Sequence, residues 1–163
     1  MTQSGRAPLS VRREGKGMLA EIAVAASPDQ VWSILTSFNE MSAHLRALER
    51  SKILTHNGNY RLVEQSARVE VPLLSLSLRV VLDVVEERPF LYFTQREGSF
   101  TEFSGYWRVD PEGSGLGSRI RYYVELDLPR GLRRFAADWQ LRRMVQRNLE
   151  DLARWIQGAG RLP

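Results

Sequence analysis

Two segments of the chain alternate between apolar and polar residues over the full length of a β-strand. Apolar side chains recur at every second position from Leu76 to Val84 and again from Ile120 to Leu128. Because neighbouring residues of a strand point to opposite faces, each segment has one apolar face and one face suited to water. The sequence therefore predicts a sheet whose apolar face is covered by another layer.

The predicted cover is a helix near the C-terminus, from about Phe135 to Gln157. At 1.5 Å per residue this helix spans about 35 Å, which is long enough to lie across a sheet. Glycine is typical after a helix end, so Gly158 predicts a C-terminal tail over 158–163. The apolar residues of the helix recur at helical spacing and share one stripe: Leu141, Val145, Leu149, Leu152 and Ile156.

The rest of the chain predicts further strands and two short helices. Alternation from Met18 to Ala25 indicates an opening strand. Ser27, Pro28 and Gln30 then form the capping box of a first short helix, and a second helical piece follows over about 40–45. The segment between Leu48 and Leu128 predicts six strands joined by short turns.

These elements predict an α+β fold. A curved seven-stranded antiparallel sheet wraps around the long C-terminal helix, and the two short helices lie between the first and second strands. The length of 163 residues fits one domain. We place this domain at residues 17–157, after a flexible N-terminal tail over 1–16.

The turns between the predicted strands alternate in chemistry. Successive turns of an antiparallel meander lie at opposite ends of the sheet. One end receives polar turns such as 56–59, whereas the other receives apolar residues beside arginines. Because loops normally face water, exposed apolar residues gathered at one end indicate the mouth of a cavity. The residues predicted at this mouth are Leu73, Leu74, Phe100, Leu132 and Phe135.

The composition excludes several kinds of protein. The chain has no cysteine, which excludes disulfides, thiolate catalysis and cysteine-ligated metals. Its two histidines, His44 and His56, are not at metal-ligand spacing, so we expect neither a metal nor another cofactor. No run of residues approaches the roughly 20 apolar residues of a membrane span. The first sixteen residues lack the apolar core of a secretory signal, and we therefore expect a cytoplasmic protein.

A basic segment follows the last predicted strand. Six arginines stand there against Asp138 alone: Arg130, Arg133, Arg134, Arg142, Arg143 and Arg147. Such a segment contacts the phosphates of an anionic membrane or a nucleic acid, or it is a solvated helix face. We assign peripheral contact with an anionic membrane to Arg130, Arg133 and Arg134. We do not expect nucleic acid as a partner, because the strands show no exposed aromatic ladder for stacking bases.

Three motifs resemble a known superfamily. Ser27-Pro28-Asp29-Gln30-Val31-Trp32 stands at the first helix, Gly105-Tyr106-Trp107-Arg108-Val109 leads into the turn at 113–117, and Asn148-Leu149-Glu150-Asp151-Leu152 lies in the closing helix. Together with the order of elements, they resemble the START-like (SRPBCC, helix-grip) superfamily over residues 17–157. Within it, the chain is similar to the polyketide cyclase/dehydrase and coenzyme Q-binding-protein type. The resemblance implies a cavity between sheet and helix for a lipid, quinone, polyketide, steroid or hormone, and some members are enzymes.

Two groups of strand residues are candidates for ligand binding. Gln65 and Gln95 fall on strand faces that are otherwise apolar, where a buried amide needs a partner such as a ligand. A register shifted by one residue would instead expose both. The second group comprises aromatic residues, which line a pocket or form plain core: Phe93, Phe103, Trp107 and Tyr122.

The closing helix supplies the other candidates. Asp138 and Arg142 share the predicted sheet-facing side with Val145, where they would give an apolar pocket its polar anchor. In that interpretation Arg142 contacts an oxygen or carboxylate of the ligand. The alternative is a surface ion pair between residues one turn apart. Trp139 lies near the rim, where an indole suits either a pocket edge or a lipid interface.

The first functional hypothesis is a non-catalytic protein that transports or sequesters a hydrophobic small molecule such as a lipid, an isoprenoid quinone or a polyketide. The alternative is a polyketide cyclase, aromatase or dehydratase, for which Asp138, Tyr122 and Glu97 are the available acid–base groups. No serine-nucleophile or phosphate-binding motif accompanies them, so no catalytic residue is assigned. A ribosome- or RNA-associated binder is the third hypothesis. The oligomeric state is not predicted.

Overall fold

An open antiparallel sheet forms the body of the protein. The computed structural model describes residues 9–71, 74–135 and 137–160. Within these residues the strand order is β1-β2-β8-β7-β6-β5-β4-β3, so that β3 to β8 form a meander and β2 pairs with β8. The strands are β1 (Ser10–Glu14), β2 (Gly17–Val24), β3 (Leu48–Asn57), β4 (Tyr60–Val71), β5 (Leu74–Glu87), β6 (Phe90–Gly98), β7 (Glu102–Glu112) and β8 (Gly117–Asp127).

The α+β architecture with a long C-terminal helix is confirmed, but the described residues form a sheet of eight strands instead of seven. The additional strand is β1, whose residues the sequence analysis assigned to the flexible tail. It pairs with β2 across a tight turn in which Gly15 has a φ of +57°, a conformation that favours glycine. In Ser10–Glu14 only Val11 is partly buried, so this strand does not need the apolar alternation that reveals other strands in the sequence. Its hydrogen bonds to β2 keep it in the sheet.

The first short helix, α1 (Pro28–Leu35), has the predicted capping box. The Gln30 backbone N–H donates to the Ser27 Oγ at 3.3 Å, and the Ser27 backbone N–H donates to the Gln30 Oε1 at 2.9 Å. These bonds satisfy two backbone donors that a helix start otherwise leaves unpaired. A 3-10 turn at Phe38–Glu40 and the one-turn helix α2 (Met41–His44) follow, where the second helical piece was predicted.

The closing helix, α3, runs from Asp138 to Ala159 and packs against β1, β2, α1 and α2. It begins three residues later than predicted, because Arg130–Phe135 forms a separate 3-10 helix. It also ends two residues later, so 158–159 belong to the helix and not to the C-terminal tail. Val145, Leu149, Leu152 and Ile156 of the predicted stripe are buried in this packing, and Leu141 is partly buried.

A buried carboxylate ties α3 to the segment after α2. The Asp151 side chain is 2% exposed and accepts hydrogen bonds from the Arg46 backbone N–H at 3.0 Å and from the Arg46 Nε at 3.1 Å. It also pairs with Arg154. Burial raises the pKa of Asp151, but the hydrogen bonds from Arg46 and Arg154 outweigh burial and hold that pKa below its usual value. Asp151 is therefore charged in the folded protein at neutral pH.

Asp151→Asn should lower the free energy of unfolding at pH 7 by about 2 kcal/mol, because it weakens hydrogen bonds to a charged acceptor. Since the folded pKa is depressed, this difference is fully present above the unfolded pKa of about 4. It should shrink as the pH falls further through the folded pKa, where the wild-type carboxyl is also protonated. Urea unfolding of both proteins at pH 7 and at acidic pH measures it.

The matched control is Glu150→Gln, which removes a charge from the adjacent residue of the same helix. Among the described residues Glu150 accepts a hydrogen bond only from the exposed Gln146, so its loss should change the free energy of unfolding by less than about 0.5 kcal/mol. Equal losses in the two variants would contradict the special role of Asp151.

Candidate functional site

A cavity of about 140 Å³ lies between the inner face of the sheet and the helices. Strands β3 to β8 supply one side of its lining, including Leu78, Leu82 and Leu91. Leu35 of α1, Phe38, and Met41 of α2 supply another side. Met144, Asn148 and Leu152, which follow one another at four-residue spacing on α3, supply the third. Most of this lining is apolar, as in small-molecule pockets generally.

An aromatic wall forms one end of the cavity. Trp107 and Tyr122 are cross-strand partners on β7 and β8, and their rings stack with centroids 4.1 Å apart. The Phe93 ring lies 6.0 Å from that of Tyr122 and 5.5 Å from that of Phe103. Phe100 extends the wall, with its ring 4.9 Å from that of Phe103. The wall thus presents several ring faces and edges to the same space.

Gly105 makes room for this wall. It pairs with Phe93 across β6 and β7, and a Cβ atom at position 105 would lie 2.8 Å from the Phe93 Cζ and 1.9 Å from the Tyr123 carbonyl oxygen. No side chain fits at such distances, so only glycine permits this approach of ring and backbone. The glycine in the Gly105–Val109 motif therefore helps to set the position of the Phe93 ring.

The polar groups in the cavity wall are uncharged. No acidic, lysine, arginine or histidine side chain lines the cavity within the described part of the chain. The polar lining side chains are Gln65, Ser66, Tyr122 and Asn148, together with the indole of Trp107. The Gln65 amide already donates to the Ser51 Oγ at 3.1 Å.

Tyr122 and Asn148 have polar groups that the protein does not satisfy. The Asn148 Oδ1 is buried and has no hydrogen-bond partner among the described residues. Tyr122 is 5% exposed, and its hydroxyl makes no hydrogen bond to any residue that the structure describes. Burial raises the pKa of Tyr122, so its phenol remains protonated and is a hydrogen-bond donor at neutral pH.

The structure brings five of the ten predicted ligand-binding residues to the cavity: Gln65, Phe93, Phe103, Trp107 and Tyr122. Gln95 instead bonds to its own turn, since its Nε2 donates to the Phe100 carbonyl at 2.8 Å and its Oε1 accepts from the Phe100 N–H at 3.3 Å. Val145 is fully buried between helix and sheet and does not line the cavity.

Asp138 and Arg142 do not line the cavity, contrary to the helical-wheel interpretation, and Trp139, predicted near the rim, does not line it either. Asp138 pairs with Arg13, and the Arg142 Nη1 donates to the Val11 carbonyl at 3.2 Å. Both partners belong to β1, the strand that the sequence analysis missed. β1 occupies the side of the helix start that was expected to meet the ligand. The Trp139 side chain projects outward and is 64% exposed.

Of the residues predicted at the mouth, Phe100 lines the cavity and Leu132 is partly exposed in the 3-10 helix. Leu73 lies outside the described residues, as do the side chains of Leu74 and Phe135. A separate surface recess of about 250 Å³ lies nearby, beside the β1–β2 turn. Its charged residues include the ion pairs Arg13–Asp138 and Arg133–Asp127, together with Lys16.

Asn148 and Ser66 are polar cavity residues that the sequence analysis did not predict. Asn148 belongs to the Asn148–Leu152 motif of the closing helix. Met144, Asn148 and Leu152 form a second stripe beside the one that packs on the sheet. In the sequence, this stripe is visible as an asparagine four residues from an apolar residue on each side, and such a pattern indicates a polar group on an otherwise apolar helix face.

The outer face of the sheet carries an aromatic row that the sequence analysis did not anticipate. Tyr92, Tyr106 and Tyr123 are aligned cross-strand partners on β6, β7 and β8, and Tyr92 is 38% exposed. The arginines beside them are balanced by acids, as in Arg108–Asp110 at 2.7 Å and Arg121–Glu21 at 3.3 Å. The charges of these two arginines are therefore compensated.

Two further features are absent from the described residues. No helix in them has the length and apolar character needed to cross a bilayer. No group of three or more histidine or acidic side chains in them is placed to hold a metal ion.

Comparison with known families assigns the chain to one of them. A family model described as "Polyketide cyclase / dehydrase and lipid transport" matches residues 18–157. The chain belongs to this family. Its membership confirms the resemblance to the START-like superfamily, and it supports either hydrophobic ligand binding or polyketide cyclase/aromatase activity. No match was found among curated protein sequences.

Solved structures share the fold of this family member at low sequence identity. A protein from Thermus thermophilus is 20% identical, with a TM-score of 0.77 over 88% of this chain and 98% of that one. The Zhui aromatase/cyclase from a Streptomyces species is 16% identical, with a TM-score of 0.73 over 93% and 97%. A STAR-related lipid transfer protein from Xanthomonas axonopodis is 13% identical, with a TM-score of 0.69 over 96% and 97%.

Asn148→Leu should stabilise the ligand-free protein, because leucine removes a buried acceptor that has no donor. We expect the free energy of unfolding to rise by about 1–2 kcal/mol, of which helix propensity accounts for less than about 0.5 kcal/mol. Urea unfolding measures the change.

The matched control is Gln146→Leu on an exposed position of the same helix, which should have little effect. A lower stability of Asn148→Leu, or a gain no larger than the helix propensity, would contradict the unsatisfied state of Asn148.

Proposed function

We propose that this protein binds a hydrophobic small molecule in the cavity between sheet and helices, and transports or sequesters it without chemical change. The observation that carries the proposal is an apolar, aromatic lining without a charged side chain among the described residues. A cavity of about 140 Å³ is close to the engineered cavity of about 150 Å³ in another protein that binds benzene. A ligand portion of one or two rings fits such a space.

The alternative is a cyclase or dehydratase acting on a polyketide-like substrate. Such chemistry needs a placed acid or base. Tyr122 favours it, because a protonated phenol is able to donate a hydrogen bond to a carbonyl group. The other acid–base candidates do not line the cavity: Asp138 pairs with Arg13, and the exposed Glu97 pairs with Arg79 at 3.6 Å. A lining without a base therefore supports binding over catalysis.

Mass spectrometry of organic extracts from the purified protein tests binding and chemistry together. We expect a compound near one-to-one stoichiometry that is absent from a mock purification and keeps its mass after incubation with fresh protein. Conversion of that compound into a product would favour the enzyme. A protein without any bound compound, and without affinity for an apolar probe, would contradict the proposal.

Ala67→Phe should abolish binding of the neutral fluorescent probe N-phenyl-1-naphthylamine, because Ala67 lines the cavity and a phenyl ring would fill it. Fluorescence titration measures the affinity, and circular dichroism checks the fold. Ser77→Phe is the matched control, because it adds the same ring to an exposed position on β5. Unchanged binding by Ala67→Phe would place the ligand elsewhere.

Peripheral contact with an anionic membrane is a separate part of the proposal. Arg130, Leu132 and Arg133 belong to the 3-10 helix that follows β8, and Arg133 keeps 58% of its side chain exposed beside Asp127. Trp139, 64% exposed, lies one element further along the chain. Arginines and an exposed indole within one short stretch of the chain suit the interface of an anionic bilayer, where each charge contributes about 1 kcal/mol.

Charge reversal tests this contact. Arg133→Glu combined with Arg134→Glu should lower binding to phosphatidylcholine/phosphatidylserine vesicles severalfold in co-sedimentation at low salt. Arg50→Glu combined with Lys52→Glu changes the net charge equally on β3, and should retain most of the binding. Equal binding by wild type and the first variant would refute the membrane contact without affecting ligand binding.

A further inference from the structure

The outer face of the sheet carries an aromatic surface that the cavity does not use. Tyr92, Tyr106 and Tyr123 follow one another across β6, β7 and β8, and they alternate with residues that line the cavity. The Tyr106 and Tyr123 rings stack with centroids 5.3 Å apart, and Phe90 extends this row with its ring 5.2 Å from that of Tyr92. All four residues are at least partly exposed. Contiguous aromatic surface of this kind is typical of an interaction site.

Carboxylates without a basic partner adjoin one end of the aromatic row. Glu102 and Glu125 lie on the same face of their strands as the tyrosines, and Glu14 lies on the same face of β1. None of these three pairs with an arginine or lysine among the described residues. Arg12 faces outward beside Glu14 and also lacks a partner in the described part of the chain, so two negative charges remain uncompensated. This acidic surface stands out in a chain whose net charge is +4.

Two of these carboxylates act directly on the aromatic row. The Tyr123 hydroxyl donates a hydrogen bond to the Glu125 Oε1 at 2.6 Å. This hydrogen bond, burial and the charge of Glu14 together raise the pKa of Tyr123 to about 12. The ring of Tyr123 and the carboxylate of Glu125 therefore form one surface, which is apolar on one side and negative on the other.

The far end of the row shows what such a surface holds. The Arg108 Cζ lies 5.0 Å from the centre of the Phe90 ring, while the Arg108 Nε donates to the Asp110 carboxylate at 2.7 Å. One guanidinium thus lies over a ring and pairs with an acid at the same time. Near Tyr123 and Glu125 the ring and the acid are present, but no arginine of the described residues lies over that ring in the same way.

We propose that this outer face binds an arginine-bearing segment of a partner protein. Guanidinium groups of the segment lie on the tyrosine rings and pair with Glu102 and Glu125. Arginine suits this surface better than lysine, because its planar group stacks on aromatic rings and pairs with a carboxylate through two hydrogen bonds. The surface lies on the opposite side of the sheet from the cavity, so the inference goes beyond the proposed function and does not depend on it.

The spacing of the strands sets the spacing of the arginines. Tyr92 and Tyr123 lie two strands apart, which corresponds to about 10 Å, and an extended segment advances about 3.3 Å per residue. Arginines at every third position of an extended segment would therefore reach both ends of the tyrosine row.

Two synthetic peptides test the proposal. One is a peptide of glycine and serine with arginine at every third position, and the other has lysine at the same positions. We expect isothermal titration calorimetry at low salt to show severalfold tighter binding of the arginine peptide to the full chain. The two peptides carry equal charge, so this difference measures the contact of the guanidinium group with rings and carboxylates.

Tyr92→Thr tests the rings. Threonine retains a residue type that favours strands, and circular dichroism checks the fold. The variant should bind the arginine peptide about two- to fivefold more weakly, which is the size of one exposed cation–π contact. The preference for the arginine peptide over the lysine peptide should shrink accordingly.

Glu102→Gln combined with Glu125→Gln tests the carboxylates. It should weaken both peptides severalfold at low salt, because two charges are lost, while glutamine at 125 still accepts a hydrogen bond from Tyr123. The matched control is Glu40→Gln combined with Glu150→Gln, which changes the net charge equally in the helical segments. We expect both affinities of this control to stay close to those of the wild type.

The proposal is overturned if the wild type binds neither peptide, if it binds the two peptides equally, or if both variants of the outer face bind like the wild type. Sedimentation velocity supplies a further check. Self-association of the wild type that Tyr92→Thr removes would assign the face to a second copy of the chain, and this too would overturn the proposal. Titration with N-phenyl-1-naphthylamine tests the cavity separately, so failure on the outer face is distinguishable from failure of the proposed function.

Discussion

The structure depends on covering the apolar inner face of the sheet with helices that are too few to cover all of it. The long helix packs on β1 and β2 at one side, while α1 contacts β7 and β8 and α2 contacts β3. The inner faces of β4 to β6 are left with side chains that reach toward the helices without filling the space. A cavity is therefore a direct result of how this sheet is covered, and the helix that closes the core also forms a wall of the site.

The unsatisfied polar groups of the cavity lower the stability of the ligand-free protein. An apolar residue at position 148 would pack without an unsatisfied acceptor, and a phenylalanine at 122 would keep the stacking on Trp107. Residues that locally disfavour the empty state are commonly those that a protein uses. Asn148 and Tyr122 stand out for this reason, whereas most of the surrounding lining is ordinary core.

Sequence patterns predicted the elements better than their mutual placement. Alternation at Leu76–Val84 and the capping box at Ser27 are local signals, and both correspond to observed elements. β1 escaped prediction because its polar residues gain their order from pairing with β2. For the same reason the helical wheel gave the wrong surroundings for Arg142, which meets β1. A wheel shows which residues of α3 share a side, but the neighbouring strands decide whether that side meets core, cavity or water.

The link between Arg46 and Asp151 also determines where this protein can adapt. It joins the segment around α2 to α3, and the His44 ring stacks on Trp155 at 4.2 Å beside it, so these two cavity walls are held together. Met41 of α2 and Met144 of α3 both line the cavity. Methionine side chains change shape at little energetic cost. We therefore expect the cavity to adapt to ligands of different shape through these two methionine side chains, while the link between Arg46 and Asp151 holds the backbone.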